Sequence, residues 1–74
     1  MVEVLRNIAC LTDRNPFGYR RELNLVSWNG EVPTYDIRSW DESHKSMTRG
    51  MTFTKDELME IVCAMEGEKN EGIY

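Results

Sequence analysis

Trp28, Arg38 and Trp40 are the side chains in this sequence best suited to gripping a flat or anionic group. An indole offers a π face for stacking, and a guanidinium can neutralise an anion or lie over such a face. All three fall within Leu23 to Trp40, LNLVSWNGEVPTYDIRSW, where two alternating runs flank the turn cluster Asn29 to Pro33 and each run closes on a tryptophan. That spacing predicts an antiparallel hairpin. Alternation in the second run puts Tyr35 and Ile37 toward a core, with Asp36, Arg38 and Trp40 pointing away from it. In the first it separates Tyr19, Arg21, Leu23 and Leu25 from Arg20, Glu22, Asn24, Val26 and Trp28. The adjacent apolar pair Leu25 and Val26 blurs this pattern, so a β-bulge there would re-aim Trp28.

The remaining reactive types support little chemistry. His44 is the single histidine, in the polar loop DESHKSM, with no second histidine or nucleophile to work with, and it reads as a solvent-exposed loop residue. Asp36, Asp41 and Glu42 lack a spacing diagnostic of acid–base catalysis or Mg²⁺ binding. Cys10 and Cys63 are far apart and outside any CxxC pattern, which favours reduced thiols over a disulfide or a metal site. The expectation is a protein that is not an enzyme and needs no metal or cofactor.

Basic side chains that could join the tryptophans are Arg49, at the start of a short apolar strand, Lys45 in the polar loop, and one of Arg20 and Arg21. A regular strand sends the last two to opposite faces, and Arg20 shares the face of Trp28. Each has a plainer reading. The tryptophans could be half-buried strand residues or interface anchors, Arg38 could pair with Asp36 on its own face, and Arg49 could simply be solvated.

Around the hairpin, Val2 to Thr12 is rich in β-branched and aliphatic residues, and its even set Val2, Val4, Ile8 and Cys10 is apolar apart from Arg6, which predicts a first strand. Asp13 to Gly18 gathers turn formers. Arg49 to Phe53 reads as a fourth strand entered through Gly50, with Met51 and Phe53 inward. Thr54-Lys55-Asp56-Glu57 fits a capping box, followed by the helical stripe Leu58, Ile61, Val62 and Met65, with Gly67 as the stop. The fold class is therefore α+β: a four-stranded antiparallel sheet followed by one C-terminal helix, β-β-β-β-α, with one sheet face covered and the other open. Residues 1–66 form a single domain and 67–74 a flexible acidic tail.

With 74 residues and no disulfide framework, the chain buries little surface alone, and a homodimer is expected. The N-terminus has no signal-peptide pattern and no apolar run reaches membrane-spanning length, so a cytoplasmic location without membrane association is expected. The formal net charge of −4 argues against a uniformly basic surface. Its distribution weakens that objection: residues 1–53 carry seven basic and seven acidic side chains, and the excess acid lies in the helix and tail.

The run RRELNLVSWNGEVPTYDIRSWDESHKSMTRGMTFTKDEL resembles the small bacterial YdbC-type proteins, in the family of the eukaryotic transcriptional positive coactivator that binds single-stranded DNA. The resemblance covers roughly Gly18 to Met65. It rests on Trp28-Asn29-Gly30, the Asp-Ile-Arg-x-Trp segment at Asp36 to Trp40, the Arg49-Gly50 pair, and the Thr-x-x-Glu cap, in that order. It implies a homodimer whose β-ribbons bind single-stranded DNA, or RNA, with little sequence preference, in transcription with its machinery or in other nucleic-acid transactions. By the same resemblance, Trp28 stacks on a base and Arg38 and Arg49 contact the nucleic acid. Trp40 lies within one position of a further family aromatic. Arg20 and Lys45 have no firm counterpart, and Val26 and Asn29 stand where eukaryotic members carry more lysine. The alternative is a dimeric protein-interaction module that uses the aromatic sheet face.

Overall fold

The computed structural model describes the backbone of residues 1–71 and the side chains of residues 1–68. The strands are β1 (Val2–Cys10), β2 (Arg20–Trp28), β3 (Thr34–Trp40) and β4 (Met51–Phe53), followed by the helix α1 (Lys55–Glu71). They form one antiparallel sheet in the order β1-β2-β3-β4, the four-stranded sheet and C-terminal helix expected from the sequence.

The hairpin between β2 and β3 turns on Asn29 and Gly30, both at positive φ (52° and 77°), with the Glu31 amide donating to the Trp28 carbonyl at 2.9 Å. Asn-Gly is favoured there because both central residues of this turn must adopt a left-handed backbone conformation. The Ser27 hydroxyl adds a bond to the Glu31 carbonyl at 2.7 Å. From this turn the β2–β3 register runs unbroken, pairing Val26 with Thr34, Asn24 with Asp36, Glu22 with Arg38 and Arg20 with Trp40.

The irregularities lie in β1. Its register against β2 shifts between Val4 and Arg6 and again between Asn7 and Ala9, leaving Leu5 and Ile8 as extra residues. The first bulge stands opposite Leu25 and Val26, so the local break is in the neighbouring strand and Trp28 keeps the face of Val26 and Asn24. The even-numbered apolar set of β1 is consequently broken. Val2 and Val4 pair with Trp28 and Val26, Arg6 falls opposite Leu25, and Asn7 meets Asn24.

Helix α1 begins on the expected capping box: the Glu57 amide donates to Thr54 Oγ1 at 3.1 Å, and the Thr54 amide donates to Glu57 Oε1 at 2.9 Å. It does not stop at Gly67 but continues to Glu71, so a boundary at residue 66 would fall inside the helix. A mid-helix glycine costs about 0.5–1 kcal/mol relative to alanine, too little to end a helix by itself. Of the expected tail, residues 72–74 lie outside the described residues. The helix touches β3 and β4, with Leu58 and Phe53 half-buried, while Ile61, Val62 and Met65 stay 42%, 42% and 59% exposed. Its apolar stripe is thus covered only near its start within one chain.

Alternation in β3 is as expected, but the burial is reversed. Asp36 and Trp40, the side chains expected to point away from the core, are 0% and 2% exposed. Tyr35 and Ile37, expected inside, are only half-buried. The face carrying Glu22, Asn24, Asp36 and Arg38 is enclosed because these polar groups satisfy one another, which removes most of the cost of taking them from water.

Candidate functional site

Trp28 ends β2 at the first position of the Asn-Gly turn, half-buried, with the Arg38 guanidinium carbon 4.9 Å from its ring centroid. That is cation–π distance. Asp36 holds the guanidinium in place: Arg38 Nε donates to Asp36 Oδ1 and a terminal nitrogen to Oδ2, both at 2.8 Å. The Thr52 hydroxyl, from β4, donates to the same Oδ2 at 3.2 Å. The bidentate fork fixes orientation as well as distance. The Arg38 side chain is 12% exposed, so the Asp36–Arg38 pair is a largely enclosed one rather than a surface contact.

Gly50 allows this packing. A Cβ at position 50 would fall against the Ile37 carbonyl oxygen and Arg38 Cβ, so only glycine lets the segment entering β4 lie so close to β3.

A second polar cluster surrounds Glu22, whose side chain is fully buried. Arg20 approaches its Oε2 at 3.1 Å, Asn24 Nδ2 donates to Oε1 at 3.1 Å, and His44 Nε2 lies 2.8 Å from Oε1. Asn7, from β1, donates to Asn24 Oδ1 at 2.8 Å and extends the chain of bonds. Burial pushes the Glu22 carboxyl pKa up, but the bonds from His44, Asn24 and Arg20, with the His44 charge, outweigh it and hold the group below its ordinary value.

His44 therefore has a definite role that its place in a polar loop concealed. It sits at positive φ (58°) and its ring lies 5.4 Å from that of Trp40, tilted by 47°. Asp41 organises the loop, accepting the Lys45 and Ser46 amides at 2.9 Å each and the Ser43 hydroxyl at 2.8 Å. The Ser46 amide bond, followed by the Ser43 hydroxyl, lowers the Asp41 pKa.

The six residues singled out from the sequence thus separate. Trp28 and Arg38 are together. Trp40 shares their sheet face but is a core residue, under His44, and presents almost no ring surface to a ligand. Arg20 is 32% exposed and committed to Glu22. Lys45 and Arg49 are exposed, and among the described residues neither is in an ion pair. Glu22, Asn24 and His44 were missed as organising residues. The available signal was that Glu22 and Asn24 share an alternation face with Trp28.

Cys10 and Cys63 are unpaired and exposed. Among the described residues no group of His, Cys, Asp or Glu converges as a metal site, and no helix is long and apolar enough to cross a membrane.

No family model matches the chain. It is 37% identical over 59 residues to a protein of Treponema pallidum (strain Nichols) described as "Uncharacterized protein", the match covering 80% of this chain and 68% of that relative. The two share enough of both lengths that the chain belongs to the family of this Treponema protein.

Proposed function

We propose that this protein is a homodimeric, non-enzymatic binder of single-stranded nucleic acid, a YdbC-like member of the transcriptional positive coactivator family, acting in the cytoplasm in transcription or related transactions. The observation that carries the reading is the Asp36–Arg38–Trp28 arrangement, a ring and a cation held together before any ligand arrives. Base–aromatic stacking contributes about 1–3 kcal/mol per base and tolerates any sequence, because every base has a π face. Of the basic side chains expected at the site, Lys45 and Arg49 are the two outside any ion pair among the described residues, and on this reading they meet phosphates. Duplex DNA binds more weakly on this reading, since its bases already stack on one another.

The dimer is supported by what one chain leaves uncovered. Among the described residues only Val26 and Trp40 are fully buried apolar side chains, while the α1 stripe and half-buried Leu23, Leu25, Tyr35 and Ile37 lack cover. A second copy laid on these surfaces supplies the missing core. Burial of Trp40 removes one of the two tryptophans from the nucleic-acid reading and from the protein-interaction alternative alike, and the cation held over Trp28 favours the nucleic acid.

Titration of intrinsic tryptophan fluorescence with a thymine oligonucleotide tests the reading. Trp40 is shielded, so saturable quenching reports Trp28 and disappears in Trp28→Ala. Absence of any response at low salt overturns nucleic-acid binding, and a monomeric mass at micromolar concentration overturns the dimer.

A further inference from the structure

Asp36 and Arg38 stand two residues apart on the same face of β3, so their bidentate pair could tilt along the strand as a unit unless something outside β3 fixes it. The Trp28 ring offers a broad face and fixes the cation's lateral position only weakly. Arg38 Nη1 meets the Met47 sulfur at 3.7 Å, and a thioether is a weak acceptor. Among the described residues, the one remaining hydrogen bond that reaches these two side chains from outside β3 is that of the Thr52 hydroxyl, which donates to Asp36 Oδ2 at 3.2 Å. The terminal torsion of a carboxylate is broad, so the direction its two oxygens face is set by what they bond.

The register places threonine for this contact. Thr52 pairs with Asp36 across β4 and β3, and alternation sends both side chains to one face, with Met51 and Phe53 on the other. Gly50 closes on the other half of the pair: a Cβ there would lie 2.3 Å from Arg38 Cβ and 3.0 Å from Nε. The segment from Gly50 to Thr52 therefore brackets the pair, with a hydroxyl on the carboxylate and bare backbone against the guanidinium stem. Thr52 is exposed on an edge strand, where threonine ordinarily serves by its β-branched shape and leaves its hydroxyl to water. Here the hydroxyl is bonded to a fully buried carboxylate instead.

We infer that Thr52 is a positioning residue for the Trp28 site: its hydroxyl turns the Asp36 carboxylate so that the fork carries the Arg38 guanidinium over the indole. For its consequence in binding this rests on the nucleic-acid reading above, and it adds a residue of β4 that acts on the ring only through two intervening side chains. Without the hydroxyl the pair relaxes along β3 and the cation shifts across the ring. A base that stacks on Trp28 then meets an arrangement no longer set before it arrives.

The test compares Thr52→Val with Thr52→Ser. Valine keeps the branching and β preference of threonine and removes the hydroxyl, whereas serine keeps the hydroxyl. Thr52 is exposed, so both variants are expected to fold, which circular dichroism and urea denaturation check. The first readout is tryptophan emission of the free protein, because moving a positive charge across an indole shifts its emission maximum. The second is affinity for a thymine oligonucleotide. The expected result is that Thr52→Val shifts the maximum and weakens binding about threefold or more, and that Thr52→Ser restores both. The shift caused by valine should vanish in a Trp28→Phe background. Unchanged emission and affinity in Thr52→Val, or a loss that serine does not restore, overturns the positioning role, and the proposed function still stands if Trp28→Ala binds poorly. Shifted emission with wild-type affinity overturns the part of Thr52 in binding. If the wild type binds no oligonucleotide the proposed function fails. The emission readout then decides separately: a shift restored by serine upholds the aiming of Arg38 by Thr52, and an unchanged maximum overturns it.

Discussion

His44 Nε2 lies 2.8 Å from Glu22 Oε1, joining a loop residue to a fully buried strand carboxylate 22 positions away. Together with the ring contact to Trp40, this one bond closes the 41–47 loop over the face of the sheet that holds Trp40 and Glu22.

Replacing His44 with alanine leaves Glu22 with Arg20 and Asn24 alone, and is expected to lower stability by about 1–3 kcal/mol, the usual cost of depriving a buried polar group of a partner. Urea denaturation measures the loss, and enhanced amide exchange across residues 41–47 shows that the loop has opened. A neutral stability change would mean that the bond contributes little.

Glu22 also predicts an acid response. Its folded pKa lies below the ordinary 4.5, so its contribution to stability is fully present above about that pH and is lost as pH falls through the lowered folded value. Urea midpoints followed downward from pH 6 should fall less steeply below pH 4.5 in Glu22→Gln than in wild type. Parallel curves would show that Glu22 is not the group responsible.

Asp36→Ala strands the Arg38 guanidinium in a site where it is 12% exposed. Breaking a buried pair on one side commonly costs about 3–5 kcal/mol, whereas removing both partners is much less damaging. Asp36→Ala should therefore be strongly destabilised, and the double variant with Arg38→Met substantially recovered. A double-mutant cycle from denaturation curves with no coupling would rule out the clasp.

Gly50→Ala places a methyl group against the Ile37 carbonyl and the Arg38 side chain. Overpacking of this kind costs about 1–3 kcal/mol, to be read as a lower thermal midpoint. Because the backbone segment must move away from Arg38, the variant should also change Trp28 emission, which an exposed glycine far from the ring would not do.

The salt dependence of oligonucleotide binding counts the cations engaged. Arg20 and Arg38 are bonded to carboxylates, leaving Lys45 and Arg49 as the free site cations of each chain. With about −0.7 per phosphate on a single strand, the log–log slope is expected near −1.4 per chain. A slope of about −2 to −3 would mean that Arg20 and Arg38 exchange their carboxylates for phosphates on binding.

Much of the architecture was legible in the order of residue types, because the signals that carry it are local. The period of two in Thr34 to Trp40 separates Tyr35 and Ile37 from Asp36, Arg38 and Trp40 whatever the rest of the chain does, and Asn29-Gly30 and the Thr54–Glu57 cap mark where elements meet. Which side of the sheet is enclosed is a different kind of fact. Glu22, Asn24 and Asp36 look solvent-facing by type, and they are buried only because His44 arrives from a distant loop, Asn7 from β1 and Thr52 from β4 to satisfy them. Alternation along a strand determined which side chains share a face. The tertiary approach of those partners decided that Trp40 is core and that Arg38 is held over Trp28, because burial there depends on long-range hydrogen bonds that no local periodicity records.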